Sequence, residues 1–224
     1  MATYTDLTNA IDDLLALSVT GQTLQLNSAV REKAFEAYAM SLIAEGVRRA
    51  GGHFNIVGIN SGNNPNPVVF RAAPGAIFSN RQDFAYLDCT LHSKRFEIHV
   101  DVEYQGSNNA THELDISLID HDKADRCRLG FRNPRTPIFT AECKFYSSSI
   151  PSIGLARSLV GLVSDFNLKM GSAFISNGAT NNLKNYLGVK TRPDPFPDLS
   201  PLDPASEGRL ITFIETKLRK WASV

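Results

Sequence analysis

The sequence predicts an α/β fold with a central mixed β-sheet flanked by helices. Three observations carry this. Residues 95–105 (RFEIHVDVEYQ), 112–120 (HELDISLID) and 138–146 (IFTAECKFY) alternate apolar and polar side chains, the period of half-buried strands. Residues 29–50 and 152–167 carry apolar residues at helical spacing on either side of that block. The order helix, several strands, helix, strand, helix suits helices packed on a mixed sheet.

In chain order, Leu7, Ile11, Leu14 and Leu15 make residues 3–17 a short helix. Residues 29–50 form the strongest helix, rich in Ala, Glu and Arg and stopped by Gly51-Gly52. FNIVGI (54–59) reads as a strand before the turn-rich NSGNNPNP. AYLDCTLHS (85–93) pairs with 95–105 as a hairpin turning at Ser93-Lys94. Residues 120–136 read as a polar, arginine-rich link. On 152–167, Ala156, Leu159, Val160 and Val163 make an apolar stripe, and Gly154, Ser158 and Gly161 a small-residue strip expected to pack on the sheet. SAFISN (172–177) is a further strand. Residues 192–206 contain five prolines and read as an extended surface loop, before a closing amphipathic helix, EGRLITFIETKLRKW.

Composition removes several function classes. Lys plus Arg and Asp plus Glu are both 23, so net charge is zero and polyanions are not held by bulk charge, although a local basic groove is still allowed. Cys89, Cys127 and Cys143 show no C-x-x-C spacing, against a disulfide framework or a zinc knuckle. His121-Asp122 lacks the partner histidines of a metal phosphohydrolase, and neither a G-x-S-x-G elbow nor a P-loop occurs. With no long apolar run and no basic N-terminal region, the expectation is a cytoplasmic protein without a membrane partner.

The chemistry lies on two strands. In HELDISLID, Leu114, Ile116 and Leu118 are expected on one face and Glu113, Asp115 and Ser117 on the other. In IFTAECKFY, Thr140, Glu142, Lys144 and Tyr146 oppose Phe139, Ala141, Cys143 and Phe145. If the strands are neighbours, Asp115 and Glu142 converge beside Lys144. Two hard carboxylates suit Mg²⁺, and a lysine beside them suits work on water or phosphate.

Asp115, 26 intervening residues and then Glu142-x-Lys144 resembles the D…(D/E)-x-K signature of the PD-(D/E)xK, or restriction-endonuclease-like, nucleases. KAFEAYAMSLIAEGVRRAGG resembles the opening helix of their Mrr-like branch, with Glu36 at the end of the inward stripe Met40, Ile43, Val47. SAFISNGATNNLKNYLG resembles the strand and helix that follow E-x-K there. The spacing between the acids is longer than in the tightest members, and no proline precedes Asp115. The resemblance implies a restriction-endonuclease-like core and cleavage of DNA with Mg²⁺ or Mn²⁺. Asp115 and Glu142 would be metal ligands, Lys144 the water-activating base and Glu36 a further catalytic acid. Glu113 is an auxiliary acid or a solvated one. On this reading residues 1–28 are a helical extension, 29–191 the nuclease core and 192–224 a Pro-rich loop with a helix on the core, all one domain.

With nine Glu and nine Lys, E-x-K arises by chance about 0.4 times in such a chain, so strand context decides. A second copy, Glu215-x-Lys217, lies in the C-terminal helix, where residues two apart do not face each other. Lys123, Arg126, Arg128, Arg132 and Arg135 in the link, and Arg157 after it, are the candidate contacts to a DNA backbone, against an ordinary solvated surface. The expected function is therefore a Mg²⁺-dependent endonuclease acting on double-stranded DNA in microbial antiviral defence or DNA processing. Two-strand cleavage favours a homodimer, and a partner protein would supply recognition or activation. Two alternatives stand beside it: a non-catalytic interaction subunit of the same fold, and another Mg²⁺-dependent phosphohydrolase.

Overall fold

The computed structural model describes residues 1–26, 30–147, 153–189 and 193–223. The expected boundaries at 28/29 and 191/192 lie outside these residues, as do the expected helix starts at 29 and 152. The N-terminal helix divides at Ala16, whose φ of 57° is left-handed, into α1 (Tyr4–Leu15) and α2 (Leu17–Thr20). Thr3 caps α1, exchanging hydrogen bonds with Asp6. β1 (Leu24–Leu26), α3 (Arg31–Arg49), β2 (His53–Gly58), β3 (Gly62–Asn63) and β4 (Val68–Phe70) follow. Then come β5 (Ala85–Leu91), β6 (Lys94–Gln105), β7 (Thr111–Asp120), α4 (His121–Leu129) and β8 (Phe139–Lys144). The chain closes with α5 (Ile153–Ser164), β9 (Gly171–Ser176), α6 (Asn181–Gly188), β10 (Asp194–Phe196) and α7 (Pro204–Ala222).

Among the described residues the main sheet has eight strands in the order β10-β9-β8-β7-β6-β5-β2-β3. It is mixed: β8, β9 and β10 run parallel, while β2, β5, β6, β7 and β8 alternate antiparallel. β1 and β4 make a separate parallel pair. One core joins α1, α3 and α7 to Phe96, Ile98, Val100, Ile116, Leu118 and Phe139. A second joins Ala124, Cys127, Ala156, Leu159, Leu183 and Leu187 of α4, α5 and α6 to Val102, Tyr104, Leu114 and Phe174. The mixed α/β architecture is as expected. No helix of the described residues is long and apolar enough to cross a membrane.

Four local expectations are corrected. The link at 120–136 contains helix α4, because Asp120 accepts from the Lys123 N–H at 3.1 Å and Ala124 and Cys127 bury one side. The Pro-rich tract contains edge strand β10, parallel to β9, where a proline is tolerated because one side of the strand has no ladder partner. The strip Gly154, Ser158, Gly161 faces outward, and nothing lies within 4 Å of a Cβ placed on Gly161. Close packing occurs instead where α3 crosses α7: a Cβ on Gly46 would lie 2.6 Å from Ile214 Cγ2. Gly46→Ala is expected to lower stability by about 1–2 kcal/mol despite alanine's better helix propensity, as measured by urea unfolding. An unchanged or higher midpoint would show that α7 yields at no cost.

Candidate metal centre

The fourth correction concerns which side chains share a face. Phe96, Ile98 and Val100 of β6 belong to the first core, but Val102 and Tyr104 belong to the second. On β7, Ile116 and Leu118 belong to the first core and Leu114 to the second. Leu114 therefore does not share a face with Ile116 and Leu118. The apolar side of both strands changes over at Asp101 and Asp115. At Asp101 the backbone has a φ of 51°, a left-handed conformation that aspartate tolerates better than most residues. Val100 pairs with Ile116 and Val102 with Leu114, so the two acids stand opposite each other at the changeover.

Pairing of β7 with β8 runs from Leu118↔Phe139 to Ile116↔Ala141. Beyond it the strands part, and Asp115 fills the fork: its Oδ2 accepts from the Cys143 N–H at 2.7 Å and the Lys144 ammonium at 3.3 Å. Lys144 also contacts Glu142 Oε1 at 2.7 Å. The sequence-predicted trio Asp115, Glu142 and Lys144 is thus one ion-paired group.

Glu36 reaches the same place from the N-terminal half of α3. One oxygen from each of Glu36, Asp101 and Asp115 falls within 4.8 Å of the others, and all three residues are buried. Glu142 stands outside this compact group, on Lys144, and Glu113 lies against Asp101. Lys33, one turn before Glu36, bridges Glu36 Oε2 and Asp101 Oδ1, each at 2.8 Å. Five carboxylates therefore face two ammonium groups.

That imbalance governs protonation. Burial, then Asp101 and Asp115, push Glu36 up to about 8, against the pull of Lys33. Burial and the same two acids push Glu113 up to about 7. Asp101 and Glu142 are also raised, chiefly by burial with Asp115 adding to it. Burial alone would lower Lys144, but Asp115 and Glu142 outweigh it and hold the amine charged. The donor set suits a hard divalent cation: carboxylate oxygens from three elements, short of positive charge. Tyr146 Oη, close to Glu142 and Lys144, is buried without a hydrogen-bond partner among the described residues.

Asp101 is the residue that sequence reading missed. In HVDVEYQ it looks like one polar position of an alternating strand, and only its left-handed backbone distinguishes it. Glu215 and Lys217 do not pair with each other, and instead contact Arg219 at 2.9 Å and Asp194 at 3.6 Å.

The candidate DNA contacts divide. Arg128 turns inward, 2.6 Å from both Glu97 Oε1 and Asp125 Oδ1. Glu97 is fully buried, also lies 2.7 Å from His99 and 2.8 Å from His121, and is held near a pKa of 2 against its burial by Arg128 and His99. Arg128 is committed to that network and is withdrawn as a DNA contact. Arg126, Arg132 and Arg135 are exposed and, with Lys123, line a cavity of about 260 Å³ whose wall includes no acid. Arg157 is exposed on α5, 6.0 Å from the Tyr186 ring.

No family model matches this chain, and comparison with curated proteins and with solved structures finds no match.

Proposed function

We propose that this protein hydrolyses phosphodiester bonds in DNA with Mg²⁺ or Mn²⁺, as a restriction-endonuclease-like enzyme. The observation that supports this most is the meeting of Glu36, Asp101 and Asp115 from three separate elements, with Lys144 on Asp115 at the fork between β7 and β8. Those three acids would hold the cation, with Glu142 as a neighbouring acceptor. Bound there, a divalent cation supplies Lewis-acid polarisation of a phosphoryl oxygen and acidifies a water. Lys144, held cationic by two carboxylates, donates hydrogen bonds to the phosphate and offsets its growing negative charge. Glu142, sharing that ammonium, positions it and can accept a proton. Arg126, Arg132 and Arg135 hold backbone phosphates of the duplex. A homodimer would present two such sites to the two strands, and a partner protein would supply recognition in microbial defence or DNA processing.

The test is incubation with supercoiled plasmid, linear duplex, single-stranded DNA and RNA in Mg²⁺. Lys144→Ala is expected to lower cleavage by about 10²–10³-fold. Full activity in that variant overturns the assigned roles. The double variant Arg132→Ala/Arg135→Ala is expected to weaken binding to all duplex sequences alike. It should also reduce the salt slope by about one for each phosphate no longer neutralised, as read by fluorescence anisotropy.

A second reading has its own observation. Lys33 and Lys144 already bridge most of these acids, as in a metal-free ion-pair network of a non-catalytic subunit. Titration with Mn²⁺ separates the two: saturable binding lost in Asp101→Asn supports the enzyme, and no binding supports the subunit.

A further inference from the structure

Between β4 and β5 the chain folds over the far side of β6 and encloses a cavity of about 780 Å³. This volume falls within the range of about 300–1,000 Å³ usual for small-molecule sites. Three charged residues line it, Arg71, Arg81 and Glu103, and Arg71 is only 8% exposed. Among the described residues no carboxylate comes within ion-pair distance of that guanidinium. It lies 4.2 Å from the Phe84 ring and makes a long, 3.4 Å hydrogen bond to the Ser79 carbonyl oxygen. A buried cation held this loosely, with no direct ion pair of its own, can take up a bound anion. Burial lowers its pKa to about 10, with Asp101 and Glu103 offsetting part of the effect.

The lining is also aromatic, with Phe78, Phe84 and Phe131. Phe78 and Phe131 meet edge to face at 5.8 Å. Phe131 is 77% exposed and has a φ of 49°, a strained backbone for a bulky residue. An exposed ring kept at such a cost on the rim of a cavity is placed to cover something flat. Two guanidinium groups and two rings in one lining, with the Asn80 amide and the Glu103 carboxylate as further hydrogen-bonding groups, suit a phosphate joined to a planar heterocycle. We propose that this cavity binds a nucleotide, its phosphate on Arg71 and Arg81 and its base against Phe78 and Phe131.

The cavity is joined to the candidate metal centre through the backbone. The Gly75 N–H donates to the Asp101 carbonyl at 3.1 Å, and the Glu103 N–H donates to the Gly75 carbonyl at 3.0 Å. The occupant therefore sits beside the strand that carries Asp101. It is either a free nucleotide or one unit of a bound strand, and only the strand source rests on the proposed nuclease function.

Equilibrium binding in EDTA tests this without hydrolysis. The probes are the ribo- and deoxyribonucleoside 5′-monophosphates, inorganic phosphate and a labelled single-stranded octanucleotide. Saturable mononucleotide binding, weakened about tenfold or more in Arg71→Gln and in Phe131→Ala, identifies a free nucleotide. Octanucleotide binding with the same losses and no mononucleotide binding identifies a strand. No binding of either, equal binding in both variants, or phosphate alone binding as tightly as the nucleotides overturns the proposal. If Arg71→Gln fails to fold by its melting curve, Phe131→Ala, on the surface, decides alone. Failure here leaves metal-dependent hydrolysis standing, because the assay contains no metal.

Discussion

Asp101→Asn is expected to reduce DNA cleavage by at least about 100-fold while the protein stays folded. Replacing one carboxylate oxygen with an amide removes a charge from the group of three acids that would hold the cation. A metal contributes several kcal/mol of charge stabilisation, and each 1.36 kcal/mol is tenfold in rate. Single-turnover cleavage of a labelled duplex, with circular dichroism melting as the folding control, makes the measurement. The same reduction is expected for Asp115→Asn, where Cys143 N–H and Lys144 also lose the charge of their acceptor. Glu113→Gln, at the rim of the group, is expected to lose less than tenfold. Wild-type rates in Asp101→Asn would remove the proposed centre.

The second large effect is on stability. Glu36, pushed up to about 8 by burial and by Asp101 and Asp115, keeps a proton in the folded chain that the unfolded chain releases near pH 4.5. The stability this proton confers is complete below pH 4.5 and is lost as pH rises through about 8. His99, whose pKa burial lowers from 6.5, works in the opposite direction, but its contribution is essentially complete by pH 7. From pH 7 to 8.5, in EDTA, the folded state should therefore lose on the order of 1 kcal/mol, or about 2–4 °C in melting temperature. Mn²⁺ competes with protons for the same oxygens, so the stabilisation it gives should grow over this interval. Glu36→Gln should flatten the metal-free slope. A wild-type slope that is flat or rising would mean that the acids are not held together as described.

The sheet and its flanking helices were legible because their patterns are long: eleven and nine residues of alternation in β6 and β7, and the apolar stripe of α3. Helix and strand periods fix direction, which made Glu36, Glu142 and Lys144 legible; Asp115 was legible as the acid of the neighbouring strand, although that strand's alternation breaks at it. Asp101 was not, since the reversal at this residue is a backbone event to which the alternation in HVDVEYQ gives no clue. The helix in 120–136 was hidden by its charge: Lys123, Arg126 and Arg128 leave only Ala124 and Cys127 as its apolar side. Arg128 read as a DNA contact or a solvated charge because its partner Glu97 is 31 residues away on β6. The prolines at 193, 195 and 197 argued against any strand, and β10 exists because it needs a ladder on one side only.

The short terminal strands also constrain self-association. The sheet ends at β3, with two residues, and at β10, with three residues and Pro195 in the middle. Neither end offers a second copy a length of unpaired backbone to continue. The two end strands therefore give little template for a dimer that extends the sheet across a subunit boundary. A symmetric pair formed through side chains of helices or loops would leave the strands undisturbed, and its surface can be sought by mutating those side chains.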